Sequence, residues 1–210
     1  FEQIVYDVLA NTQDMNIIEK PEPEDTPFYI NNGTINVGNT NGKVILQTFS
    51  LESLVRVAEV FQGKVPMCFL LWKGTGATDL TYDDPLGYAS FINLGVKYKA
   101  HFIGPCIAGA PNDYPELDQP WQDYLIHRAK MKNHPYTFDT YDQMAKYFGQ
   151  YNFGVADGMF NPPYLDALFT NHSDMSINYM ITHGWRKSPA SQTLVDAREV
   201  LRKLGYLDNN

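Results

Sequence analysis

No run of apolar residues in this chain is long enough to cross a bilayer, which takes about 20 consecutive residues in a helix. Positive charge is also in short supply. Sixteen Lys and Arg against 24 Asp and Glu leave a net charge of −8, so no basic stripe is there to neutralise phosphates along a nucleic acid or an anionic membrane. A small anionic ligand held at a local site is still compatible with that balance. Cysteine is limited to Cys68 and Cys106. Each sits in an apolar stretch ("MCFLLW", "FIGPCIAG"), and both read as small buried hydrophobes rather than a disulfide framework. The histidines show no metal-ligand spacing such as His-x-x-x-His, and His101, His134, His172 and His183 read as structural or exposed.

What the chain does have is apolar content for one well-buried domain: 210 residues, 44% hydrophobic and 14% aromatic. "FEQIVYDVL" (1–9) carries apolar residues at 1, 4, 5, 8 and 9, the spacing of one helical face. "MNII" reads as a strand leading to Glu19. Residues 21–42, rich in Pro, Asn, Gly and Thr, read as a long surface loop.

A regular rhythm then begins. "KVILQTF" (43–49) is a β-branched apolar run, followed by Ser50 as N-cap of the helical "LESLVRVAEVF". "PMCFLLW" (66–72) is continuously hydrophobic, as expected of a strand buried on both faces, and a helical stretch follows near 83–94. "KAHFIG" (99–104) is the next strand and 120–132 the next helix. The series closes with strand "HPYTF", helix "DTYDQMAKYFGQ", strand "FGVAD" and helix "PPYLDALF". Six strands separated by helical crossovers predict an α/β fold with a parallel sheet, either doubly wound or a (β/α)8 barrel. The tail places Leu194, Ala197, Val200, Leu201 and Leu204 on one face of a docking helix.

Taken in order, "FEQIVYDVL", "IIEKPEPE", "VILQTFSLESL", "HPYTFDTYDQM" and "GVADGMF" resemble segments of the glycerophosphodiester phosphodiesterase family. The resemblance spans residues 1–169 and implies a (β/α)8 TIM-type barrel, present here as about six strand–helix units. Residues 1–172 would form this partial barrel and 173–210 a C-terminal helical extension. The six strands would be numbers three to eight. The family's His-Arg-Gly, Glu-x-Asp and second His, which supply its acid/base pair and two metal ligands, are expected upstream of Phe1. His127-Arg128 lacks the following Gly, lies mid-helix and reads as a surface pair.

The resemblance further implies a metal-assisted phosphoric diester hydrolase of lipid and glycerol metabolism, acting on a small phosphodiester with Ca2+ or Mg2+ as cofactor, in a periplasmic or secreted setting. Glu19 matches the metal-binding Glu at the end of strand three, and Lys20 the phosphate-contacting Lys. Tyr136 matches a pocket-lining aromatic. From position alone, Trp72 is a candidate wall for a glycerol or alcohol moiety and Lys73 a point charge for phosphate, while Phe49 is expected in the core. Sites in such barrels lie at the carboxyl-terminal rim of the strands. Two other readings are a non-catalytic, ligand-binding barrel relative and a barrel glycosidase, in which Trp72, Trp121 and Trp185 would stack on sugars.

Overall fold

A computed structural model describes residues 1–11, 44–62, 65–72, 82–150 (backbone only at 149 and 150), 165–184, 186, 202 and 205. Among these residues, α-helices alternate with short strands: α1 (Glu2–Asn11), β1 (Leu46–Thr48), α2 (Leu51–Phe61), β2 (Met67–Leu71), α3 (Pro85–Lys97), β3 (Phe102–Pro105), α4 (Pro120–Arg128), β4 (Lys132–Asn133), α5 (Tyr141–Met144) continued by a π-helical turn (Ala145–Gln150), and α6 (Ser173–Thr182). The expected strands "MNII" and "FGVAD" and the tail helix around Leu194–Leu204 lie outside the described residues.

The four strands are all parallel and stand side by side in chain order, β1-β2-β3-β4. The protein is therefore α/β with a parallel sheet, and the sheet is not closed among the described residues. Strand β2 is buried along its whole length, as its unbroken apolar run requires. Its side chains alternate. Met67, Phe69 and Leu71 join the helices, where Phe69 stacks on Phe91 of α3 at 4.4 Å. Cys68 and Leu70 face the other way, against Phe102. Both cysteines are free and buried, as their settings imply.

Local chemistry explains the helix boundaries. Ser50 caps α2 by accepting from the Ser53 amide at 3.2 Å, and Leu54, Val57 and Phe61 make its buried face. Asp84 caps α3 and Pro85 begins it, where a missing N–H costs nothing. Thr140 and Gln143 bond reciprocally at the start of α5, the pattern of a capping box.

Three expectations need correction. In α1, Val5 and Leu9 pack with Tyr6 against the core, but Phe1, Ile4 and Val8 are exposed; helix α1 docks through Tyr6 on Phe61 and through Glu2 on Arg56. The expected helix "PPYLDALF" is not helical over its described part. Residues 165–170 form neither helix nor strand and lie beside the β4 segment, with the Asp166 and Ala167 amides donating to Asn133 O and the Phe169 amide donating to Pro135 O. Backbone pairing with a neighbouring chain segment outweighs a weak helical pattern here. Finally, the strand expected at "HPYTF" (134–138) lies just before it, at Lys132–Asn133, and within 134–138 there is only an isolated parallel bridge between Cys106 and Tyr136.

Candidate functional site

At the carboxyl-terminal ends of the strands four aromatic side chains come together. Phe49 follows β1, Trp72 follows β2, Tyr114 lies in the loop after β3, and Tyr136 follows β4. Phe49 and Trp72 each stand one residue beyond a strand end. Trp72 continues the side-chain parity of Cys68 and Leu70, and Tyr136 packs against that same cluster. Tyr114 and Tyr136 pack against the helix-side core as well, so the set caps the strand ends rather than one face of the sheet.

The rings make a closed cycle of edge contacts. Phe49 and Trp72 are 6.4 Å apart between centroids, Trp72 and Tyr114 6.3 Å, Tyr114 and Tyr136 5.9 Å, and Tyr136 and Phe49 5.7 Å. The interplanar angles run from 62° to 86°, so each ring stands steeply to its neighbours. Phe49 and Trp72 are each 37% exposed, which leaves one side of the cycle open to solvent. Tyr114 and Tyr136 are half-buried.

Tyr136 is the best-anchored member. Its amide donates to Pro105 O at 3.0 Å and its carbonyl accepts from Ile107 at 2.8 Å, while its hydroxyl donates to Leu71 O at 3.0 Å. The Tyr136–Thr137 peptide is cis. Burial, followed by the neighbouring Cys106 thiol, pushes the phenol further above its ordinary value, so Tyr136 is a neutral wall and donor, not an acid near neutral pH.

Of the sequence-derived candidates, Trp72 and Tyr136 are brought to one rim, linked through both Phe49 and Tyr114. Glu19, Lys20 and Lys73 lie outside the described residues. Phe49, expected in the core, is instead a rim residue, because β1 ends at Thr48 and leaves it beyond the buried layer. Its place was readable from the strand end. Tyr114, in the irregular "PNDYPELD", carried no signal.

A second cluster of functional groups lies between α4 and β4. The Asn133 amide nitrogen donates to Asp118 Oδ1 at 2.8 Å and to Asp123 Oδ1 at 2.7 Å. His127 bridges Asp123 Oδ2 at 3.0 Å and Asp166 Oδ2 at 2.8 Å, and Asp166 also accepts from Lys132 Nζ at 3.0 Å and the Asn133 amide at 2.8 Å. The expected surface role of His127 is thereby corrected: the side chain is three-quarters buried, with one partner, Asp123, on its own helix and the other, Asp166, in a distant segment. Burial opposes charge on this imidazole, but the hydrogen bonds from Asp123 and Asp166 outweigh it and carry its pKa up to about 10. Burial raises Asp166 too, yet His127, the Asn133 amide and Lys132 together hold it below the ordinary range. Asp118 is pushed well up by burial and by Asp123. The cluster joins helix, strand and the 165–170 segment and is a structural junction.

Among the described residues no group of three or more His, Cys, Asp or Glu side chains is arranged to hold a metal ion, and no helix is long and apolar enough to cross a membrane. The sequence matches no protein-family model, and no curated protein is significantly similar to it.

Proposed function

We propose that this protein is a glycerophosphodiester phosphodiesterase-like hydrolase, releasing glycerol phosphate and an alcohol, and that its parallel sheet is an arc of a (β/α)8 barrel. The observation that carries the reading is the meeting of Trp72 and Tyr136 at the carboxyl-terminal rim. Chain-ordered parallel strands with an intervening helix at each crossover are what a barrel arc requires, whereas a doubly wound sheet reverses its strand order at a switch point.

In this reading the aromatic rim holds the apolar part of the substrate and keeps water off it. Tyr136, neutral and tied to Leu71 O, fixes the wall without exchanging a proton. Lys73, next in sequence to Trp72, and Lys20 would meet the phosphate as point charges, and Glu19 would supply a carboxylate to a divalent cation, Ca2+ or Mg2+. When bound, such a cation offsets charge on the phosphoryl oxygens. The catalytic acid and base are not assigned to any histidine of this sequence, since none stands in a His-Arg-Gly setting; the second reading is a barrel relative that binds the diester without cleaving it.

The test is release of glycerol phosphate from glycerophosphocholine, with and without chelator, beside a panel of aryl glycosides. The proposal expects diester cleavage that chelator abolishes. Saturable diester binding with no cleavage would move the protein to the second reading, and chelator-insensitive glycoside cleavage would make it a glycosidase.

A further inference from the structure

We propose that Phe49, Trp72, Tyr114 and Tyr136 form a cage for a quaternary ammonium group, so that the preferred ligand carries a choline-type cation. This deepens the proposed function and rests on it only for the phosphate-bearing remainder of the ligand. The four rings form a complete cycle with centroids 5.7 to 6.4 Å apart. Four centroids at the corners of a square of that side stand about 4 Å from its centre, inside the roughly 6 Å over which a ring face attracts a cation. Adjacent interplanar angles of 62° to 86° are those of the walls of a box. A trimethylammonium group suits such a box because its charge is spread over methyl groups that make no hydrogen bonds, and the rings ask for none.

Two further observations point to a cation rather than a neutral apolar group. The one hydroxyl in the set with a hydrogen bond described above, that of Tyr136, is turned to the Leu71 carbonyl, so this ring serves the site through its π system. The net charge of −8 also gives the chain an overall field that draws cations. Exposure of Phe49 and Trp72 at 37% provides the entrance, and the half-buried Tyr114 and Tyr136 supply the partly desolvated walls on which cation–π attraction is strongest.

The test is titration calorimetry of the protein with choline chloride, 3,3-dimethylbutan-1-ol (the neutral carbon isostere), ethanolamine and methyl glucoside, at constant ionic strength. Choline should bind saturably, with the isostere and ethanolamine at least about tenfold weaker. Trp72→Leu and Tyr114→Leu should each weaken choline about fivefold or more, the size of one lost cation–π contact, whereas Trp72→Phe should keep most of the affinity. Circular dichroism melts on each variant establish that the fold is retained; both Trp72 and Tyr114 are partly exposed, so truncation opens no closed cavity. Equal binding of the neutral isostere, tighter binding of methyl glucoside, or unchanged choline affinity in a folded Tyr114→Leu variant would overturn the cage. Choline binding without diester cleavage would support the cage while sinking the hydrolase reading. Cleavage of choline and glycerol diesters at equal kcat/KM, with no choline binding, would do the reverse.

Discussion

The imidazole of His127, on α4, places its Nε2 2.8 Å from Asp166 Oδ2, in the irregular segment that follows much later in the chain. Its other nitrogen is taken by Asp123, so the ring is gripped from both ends and the proton that charges it is held by two carboxylates. The grip makes the junction between α4, β4 and residues 165–170 sensitive to proton loss.

The sign of that sensitivity follows from the shift. His127 has an ordinary value of 6.5, raised to about 10 in the folded chain, so its contribution to stability is complete below pH 6.5 and fades as pH climbs toward 10. Urea denaturation at pH 6.5, 8 and 10 should show a falling midpoint in the native protein. His127→Gln should be less stable at pH 6.5 by about 3 kcal/mol, as expected when one member of a buried charge cluster is removed, and should show a flatter alkaline slope. An identical slope in the variant would locate the titration elsewhere.

Acid acts through different groups. Burial holds His101 down to about 3 and His134 down to about 4, and the His101 Nδ1 accepts from the Met67 amide at 3.0 Å, a bond that protonation removes. Both rings contribute stability above pH 6.5 that is lost progressively as pH falls toward those values, and Asp166, held below its ordinary 3.8, adds a loss as pH falls below 3.8. Histidine C2–H chemical shifts followed by NMR should stay at neutral positions for these two rings at pH 5, where an exposed imidazole is already protonated.

Gly104 has no room for a side chain. A Cβ there would meet Leu70 Cδ2 at 2.6 Å, Cys68 Sγ at 2.8 Å and His134 O at 3.0 Å, and the last is backbone that cannot rotate aside. Gly104→Ala should cost about 1 to 3 kcal/mol, the usual penalty for overpacking, read as a lowered thermal midpoint. Cys68→Ala introduced beside it relieves only the sulfur contact and should recover part of the loss.

Tyr136→Phe separates the ring from its hydroxyl. Loss of the bond to Leu71 O should lower stability by about 1 kcal/mol, while choline affinity should change less than twofold because the π face remains. A tenfold loss of affinity in this variant would mean that the hydroxyl itself meets the ligand.

The sequence made the strand–helix alternation visible because β2 and its neighbours are buried on both faces and bounded by recognisable caps, Ser50 above all. It also put Trp72 and Tyr136 at strand ends; Trp72 directly follows β2, whereas Tyr136 lies past the end of β4, at an isolated bridge to Cys106. Other features depended on long-range packing that no local pattern encodes. Tyr114 reaches the rim from an irregular loop, and His127 read as exposed because only Asp123, one turn away, is local, while Asp166 comes from far along the chain. The "PPYLDALF" stretch has helix-like spacing, but the unpaired carbonyls of Asn133 and Pro135 offered its amides a stronger partner than a short isolated helix does.

That last pairing has a bearing on how molecules of this protein treat one another. Among the described residues β4 is the last strand of the sheet, and a last strand is a template onto which a foreign strand can add; there the amides of Asp166, Ala167 and Phe169 already occupy the carbonyls of Asn133 and Pro135 from within the same chain. Asp166 fastens this guard through its side chain as well, so an isosteric Asp166→Asn protein, which loses the carboxylate's charge, should expose the β4 margin and turn cloudy on warming sooner than the native one, a change that static light scattering would register.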